Sequence, residues 1–315
     1  MKFFLTLAFL AVASVSHSAE SVPDQYPGSP LYSKPVEFIP GVFTSTGATA
    51  PPTYENAGHN NNLSFIVTGD GVVVINGGAS SQLAKALHDE IKQITDQPVK
   101  MVFNENGQGH AMLGNSYWSE IGVPTIAHTA AAAAFADRGP QSLAAQERVA
   151  KEQSEGTTIV EPTETFDDEY IVEMGDFRIE ALYLGPAHSP GDITIWLPKQ
   201  KLAIAGDIAF HERLLPIFED TIALDWLETW DAAFEPLGAL YVIPGHGHPT
   251  NMDQVRRYTK DYLVYLRGKV GEVIEAGGTL ADSYYVDQSP YAKLHTFDEL
   301  ATKNAGRIYE QMEFE

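Results

Sequence analysis

The chain has 315 residues, of which 42 are acidic and 20 are basic, and its formal net charge is −22. A surface of this sign repels nucleic acid and anionic membranes, so neither is an expected partner. The hydrophobic content of 44% is enough for a sizeable core. The chain contains no cysteine, so disulfides and thiolate metal ligands are excluded. Any metal must be held by histidine, carboxylate or water.

The first 19 residues have the pattern of a secretory signal peptide. Lys2 supplies the basic start, residues 3–15 form an apolar run too short to span a bilayer, and residues 16–19 offer small side chains for cleavage. The sequence therefore predicts a periplasmic or secreted protein. Residues 20–315 are expected to form a single domain, because no fixed repeat or low-complexity linker interrupts them.

Strand and helix patterns alternate along the chain. After a Pro- and Gly-rich lead-in with a short strand near 42–43, two β-branched runs at 63–67 and 72–75 flank a Gly-Asp-Gly turn, which indicates a hairpin. This alternation predicts sheet layers with outer helices. The further predicted elements are a helix at 80–95, a strand at 99–103, a helix at 113–121, a strand at 125–128, a helix at 130–154, strands at 165–170, 177–184, 193–197 and 201–205, and helices at 226–234, 252–276 and 297–312.

Histidine and aspartate residues follow several of the predicted strands. The segments are Phe-Asn-Glu-Asn-Gly-Gln-Gly-His at 103–110, Leu-Gly-Asn at 113–115, Gly-Pro-Ala-His-Ser-Pro-Gly-Asp at 185–192, Ala-Gly-Asp at 205–207 and Pro-Gly-His-Gly-His at 244–248. In their order and spacing, together with the hairpin, these segments resemble the metallo-β-lactamase superfamily from about residue 42 to residue 250. The remainder, 251–315, resembles the exported branch of quinoprotein-relay or sulfur-oxidation-associated metallohydrolases.

The resemblance implies an α+β fold, an αββα sandwich with a metal centre at one rim and a helical C-terminal extension. His110, His188, Asp207 and His246 stand at the family's ligand positions. Imidazole nitrogen and carboxylate oxygen suit zinc at about 2.0–2.2 Å, and residues that each follow a strand converge at one rim. We therefore expect the four side-chain tips to lie close together.

One loop departs from the family pattern. The family motif His-x-His-x-Asp-His occupies positions that here run from Glu105 to His110, and only the last histidine remains. Gly107 and Gly109 have no side chain to bind a metal. Asn76 stands where the family usually has an aspartate that supports a ligating histidine. The remaining donors favour one zinc ion, held by His110, Asp207 and His246, over two.

The resemblance implies a metal-dependent hydrolase in which the metal lowers the pKa of bound water toward about 7 and polarises a carbonyl or ester. Glu105 has three open roles: metal ligand, base for proton transfer, or a solvated loop carboxylate. The main alternative is a catalytically inactive binding protein that keeps the fold. An iron-dependent redox enzyme is a third possibility. The expected substrate is a small molecule, which the sequence does not name.

Overall fold

The computed structural model describes residues 26–313 and residue 315. The expected signal peptide, residues 1–19, lies outside the described residues. Within the described part of the chain, no helix combines the length and the apolar composition needed to cross a bilayer.

A seven-stranded sheet forms the first layer of the core, and its strands are neighbours in chain order. Pairing is antiparallel from β1 to β4 and parallel from β4 to β7. The strands are β1 (Val36–Ile39), β2 (Val42–Ser45), β3 (Leu63–Val67), β4 (Val72–Ile75), β5 (Val99–Asn104), β6 (Thr125–His128) and β7 (Glu164–Phe166). The predicted hairpin is β3–β4, with Val67 opposite Val72.

A five-stranded sheet forms the second layer, in the order β12-β11-β10-β9-β8. Pairing is antiparallel except between β11 and β12, which are parallel. The strands are β8 (Glu169–Met174), β9 (Phe177–Tyr183), β10 (Ile193–Leu197), β11 (Leu202–Phe210) and β12 (Tyr241–His246).

The two sheets pack face to face, and helices cover their outer surfaces. The inner layer is built by side chains from both sheets, such as Ile66 and Ile75 from the first and Ile195 and Ile204 from the second. The α-helices are α1 (Ser81–Ile94), α2 (Gly109–Met112), α3 (Asn115–Glu120), α4 (Thr129–Ala150), α5 (Ala223–Thr229), α6 (Met252–Tyr258), α7 (Lys260–Glu275), α8 (Leu280–Ser283) and α9 (Phe297–Met312). The predicted α+β, αββα sandwich with C-terminal helices is confirmed.

The outer faces are closed by apolar stripes on the helices. In α1, Leu83, Leu87 and Ile91 are buried against β3, β4 and β5, as their helical spacing predicts. On the second sheet, Trp226 of α5 and Leu266 of α7 belong to one buried cluster with β11 and β12. The C-terminal helices are therefore part of the packed core and help to position the strands that end at the rim.

Two predicted elements are divided in the structure. The strand predicted at 165–170 is two strands: β7 pairs with β6 in the first sheet, and β8 pairs with β9 in the second. The helix predicted at 252–276 is interrupted at Thr259. The Oγ1 atom of Thr259 accepts a hydrogen bond from the backbone N–H of Phe210 at 2.9 Å. A side chain that bonds a neighbouring strand competes with helix continuation, which sequence periodicity does not reveal.

Candidate metal centre

Three histidines and one aspartate reach the same rim from four segments. His110 lies in α2, directly after β5, and His246 is the last residue of β12. His188 lies in the loop between β9 and β10. Asp207 was expected at a strand end, but it lies within β11. Gly206 has φ +65° and the pairing with β12 shifts on both sides of it, so the strand is irregular where the aspartate projects.

Three of these residues form a compact donor group. One ligand atom each from His110, Asp207 and His246 lies within 4.8 Å of the other two. Asp207 Oδ1 is 3.3 Å from His246 Nε2, and Asp207 Oδ2 is 3.6 Å from His110 Nε2. Asp207 and His246 are buried, and His110 is half-buried. Such a set of nitrogen and carboxylate donors is the kind that binds zinc.

Burial and neighbouring charges set the protonation of the group. Burial lowers the pKa of His246 to about 4, so its imidazole is neutral near pH 7 and able to bind a metal. Burial alone would raise the pKa of Asp207, but the nearby His246 and His110 outweigh it and hold that pKa well below its usual range. Burial would lower the pKa of His110, whereas Asp207 and Glu105 raise it, and the result is a raised pKa.

His188 contacts the group from one side. Its Nδ1 is 3.5 Å from Asp207 Oδ2 and 3.2 Å from Gln108 Nε2. Its ring packs against Phe210, Phe218 and Trp226, with centroid separations of 5.6, 5.1 and 5.7 Å. Burial lowers its pKa to about 4. The structure therefore places a neutral His188 against Asp207, but outside the compact three-residue group.

Glu105 is buried beside His110. Its side chain is 2% exposed, and its Oε1 lies 3.4 Å from His110 Nε2. Burial raises the Glu105 pKa and the charge of Asp207 raises it further, against smaller opposing effects of His110. Asn76, which has φ +72°, accepts a hydrogen bond from the Glu105 backbone N–H through Oδ1 at 3.1 Å. Of the three open roles for Glu105, its burial excludes the solvated loop carboxylate.

The glycines of the degenerate loop allow close packing by α4. A Cβ atom on Gly107 would lie 2.5 Å from the Ala131 carbonyl oxygen, so no side chain fits there without movement. The neighbouring amide side chains contact two of the candidate ligands: Asn106 Nδ2 donates to Asp207 Oδ2 at 3.2 Å, and Gln108 Nε2 lies 3.2 Å from His188 Nδ1. The loop therefore packs closely against α4, and its amide side chains contact Asp207 and His188.

The orientation of His246 is fixed by residues that the sequence interpretation missed. His246 Nδ1 lies 2.5 Å from the Asn60 carbonyl oxygen, so Nδ1 carries the proton and donates. Nε2 is then the free nitrogen, which faces Asp207. The Asn62 side-chain amide donates to the carbonyls of Pro244 and Gly247 at 2.8 and 2.7 Å and holds the turn. Backbone acceptors of this kind select the tautomer that a ligating histidine needs.

Two other histidines are held elsewhere. His59 is fully buried, and its Nδ1 accepts a hydrogen bond from the Tyr32 backbone N–H at 2.8 Å. His248 Nδ1 pairs with Glu212 Oε2 at 2.6 Å. Among the described residues, neither belongs to the compact donor group.

A cleft of about 1310 Å³ opens above the group, and His110, His188, Asp207 and His246 line it. Its walls come from α4, α9 and the loop at 216–220. The C-terminal extension therefore shapes the access route to the candidate metal centre. A space of this size accommodates a small organic molecule.

Gly206 allows a direct test of the packing around Glu105. A Cβ atom on Gly206 would lie 2.0 Å from Glu105 Oε2, whereas a Cβ atom on Gly238 would meet nothing within 4 Å. The two glycines have nearly equal φ angles, +65° and +66°. Gly238→Ala is expected to lower the free energy of unfolding by about 1–2 kcal/mol for the left-handed backbone alone. Gly206→Ala is expected to lower the free energy of unfolding by about 1–3 kcal/mol more than Gly238→Ala does, because its methyl group overpacks the site.

The measurement is urea unfolding of the metal-free variants. If Gly206→Ala and Gly238→Ala lower the free energy of unfolding equally, the Glu105 carboxylate does not pack closely against β11.

The chain is similar to known proteins in both sequence and fold. The family model described as "Metallo-beta-lactamase superfamily" matches residues 110–250. The metallo-beta-lactamase type 2 of Bacteroides fragilis is 27% identical over 113 residues, which are 35% of this chain and 45% of that protein. The metallo-beta-lactamase from Pontibacter korlensis has a TM-score of 0.58 at 18% identity and covers 70% of this chain and 94% of its own.

A second fold neighbour extends further along the chain. The stereoselective inverting sec-alkylsulfatase from Pseudomonas sp. has a TM-score of 0.68 at 18% identity. The alignment covers 89% of this chain but 50% of that protein. The chain thus spans half the length of the alkylsulfatase and less than half of the Bacteroides fragilis relative.

The αββα sandwich places the chain in the class of proteins with the metallo-β-lactamase fold. The His–Asp–His group at the rim of the sandwich is a candidate metal centre. Residues 110–250 match the model of the metallo-beta-lactamase superfamily, and the chain shares its fold with the solved metallo-beta-lactamase described above. Members of this family bind metal ions, usually zinc.

Proposed function

We propose that this chain is a metal-dependent hydrolase of small-molecule substrates that holds one zinc ion with His110, Asp207 and His246. The observation that carries the proposal is the compact group of three donor atoms, each within 4.8 Å of the others, at the floor of a cleft. His188 completes the donor set or orients the attacking water.

The donor atoms fit a cation. His110 Nε2 and Asp207 Oδ1 are both buried and have no hydrogen-bond partner in the described part of the chain. Buried polar atoms without partners are costly, and a bound cation would satisfy both. When bound, the metal would supply Lewis-acid polarisation of a carbonyl or ester and lower the pKa of water toward about 7.

Glu105 is proposed as the base. It accepts a proton from the attacking water as the water oxygen bonds to the acyl carbon. The bond to the leaving group then breaks, and the same proton passes to the leaving group. A carboxylate with a raised pKa is suited to both transfers near neutral pH, and the 3.4 Å contact with His110 places Glu105 beside the donor group.

The test is hydrolysis by zinc-loaded protein of a panel of chromogenic substrates: carboxyl esters, a lactone, a lactam, a thioester, a phosphoester and a sulfate ester. We expect at least one substrate to be turned over, with activity that a chelator removes and added zinc restores. Turnover that survives complete metal removal, or no turnover of any member of the panel by metal-loaded protein, would contradict the proposal.

A non-catalytic binding protein is the second candidate, and the degenerate loop favours it. Gly107 and Gly109 stand at two positions of the family motif, and the adjacent amides of Asn106 and Gln108 make hydrogen-bond contacts with Asp207 and His188 instead. This candidate predicts metal-loaded protein that binds members of the panel without converting them.

Export is also part of the proposal. It is supported by Lys2, the apolar run at 3–15 and the small residues at 16–19. Mass spectrometry of the protein from a periplasmic or culture fraction is expected to give a mature chain that begins near Ala19 or Glu20. Recovery of the intact chain with Met1 from that fraction would contradict export.

A further inference from the structure

Arg213 is a buried cation that the proposed hydrolysis does not use. It lies three residues after the end of β11, is 6% exposed, and lines the cleft together with the donor group. Its Nη1 is 3.2 Å from His246 Nδ1. Burial lowers its pKa to about 10, so the guanidinium still carries its positive charge near pH 7. Among the described residues that line the cleft, no other cation is buried to this degree.

The guanidinium lacks an acceptor. The proton on His246 Nδ1 is committed to the Asn60 carbonyl oxygen, so that nitrogen has no lone pair to accept from Arg213. Arg213 Nε is buried without a hydrogen-bond partner. In the described part of the chain, no carboxylate lies within salt-bridge distance of Arg213, whereas Arg138 at the mouth of the cleft is paired with Asp220.

A buried charge without a partner is costly, and such groups in a cleft are candidates for a binding site. The planar fork of an arginine offers parallel N–H donors that match two oxygens of one oxyanion. Because Arg213 contacts His246, an oxyanion bound to it would lie next to the proposed reaction centre. Asp207 and Glu299 act on Arg213 electrostatically, but neither carboxylate accepts a hydrogen bond from it in the described part of the chain, so its Nε–H donor stays available.

We propose that Arg213 binds an oxyanion group of the substrate, a carboxylate, sulfate or phosphate adjacent to the bond that is cleaved. That the oxyanion belongs to a substrate rests on the proposed hydrolase function. That Arg213 binds an oxyanion does not rest on it, because the guanidinium and its missing acceptor are properties of the metal-free chain.

The test uses inorganic phosphate as the probe and measures its Kd by calorimetry, with chelator-treated and zinc-loaded full-length protein. Metal-free wild type is expected to bind phosphate saturably. Arg213→Met is expected to weaken binding by about tenfold or more, the typical effect of losing a charged hydrogen bond. Arg213→Lys keeps the positive charge but lacks the parallel N–H donors of the guanidinium, so its Kd for phosphate is expected to lie between those of wild type and Arg213→Met. Arg138→Met, which removes the paired arginine at the mouth, is expected to stay within about twofold of wild type.

A second readout measures binding in the wild-type protein, and a variant serves only to assign the signal. In wild-type protein, the Arg213 Nε–H resonance, assigned with Arg213→Lys, is expected to shift on addition of phosphate. No phosphate binding by metal-free wild type, an unmoved resonance, or equal affinity of wild type and Arg213→Met would overturn the inference. If Arg213→Met loses phosphate binding but the wild-type protein takes up no zinc even after zinc loading, the oxyanion site is supported and the hydrolase proposal is refuted separately.

Discussion

Replacement of His246 by alanine is expected to release the metal and abolish hydrolysis. The substitution removes one of the three donors that lie within 4.8 Å of one another. Changes to groups that only support a ligand cost about 10–100-fold in metal affinity, so loss of a ligand is expected to cost more than about 100-fold. The measurement is a zinc titration in competition with a chromophoric chelator.

His248→Ala is the matched control, because His248 lies two residues further along the same turn and pairs with Glu212. We expect it to keep the zinc affinity of wild type within a few-fold. If both variants lose zinc equally, or if His246→Ala retains it, His246 is not a ligand in the way proposed.

Replacement of Glu105 by glutamine is expected to reduce the hydrolysis rate by about 10²–10⁴-fold while the metal content stays the same. This is the usual effect of removing a general base, and glutamine keeps the size of the side chain. A base acts when it is deprotonated, so wild-type activity should fall as the pH falls through the raised pKa of Glu105. That acidic limb of the pH–rate profile should be absent in Glu105→Gln.

The matched control for this variant is Glu219→Gln, an exposed carboxylate that lines the same cleft. It is expected to leave the rate and the pH profile unchanged. Should Glu105→Gln lose metal together with activity, Glu105 is a ligand instead of a base. An unchanged rate would remove it from the mechanism.

The fold could be predicted because its signals are local. The Gly-Asp-Gly turn between residues 67 and 72 specifies the β3–β4 hairpin, and the spacing of Leu83, Leu87 and Ile91 specifies the buried face of α1. The division of the strand predicted at 165–170 was not predicted. Which sheet a short strand joins is decided by pairing with distant partners, here β6 for one half and β9 for the other.

The candidate donors could be named from their motifs, but the contacts that hold them could not. The Asn60 carbonyl that orients His246 is 186 residues away in sequence, and Asn106 reaches Asp207 across 101 residues. Arg213 lies in no motif, and only the packed structure reveals a buried guanidinium without an acceptor. The sequence of the loop at 105–110 left open whether the site is rebuilt or inactive. The packing of this loop against α4 and its amide contacts with Asp207 and His188 involve residues distant in sequence, so they could not be predicted.

Elemental analysis of protein purified without chelator tests whether His110, Asp207 and His246 hold a single zinc ion. A catalytic zinc takes about three protein ligands and water, and the described residues contain one such group. We therefore expect about one zinc ion per chain, reduced to background in Asp207→Ala. Protein that contains no metal after zinc loading, or two tightly held ions per chain, would contradict it.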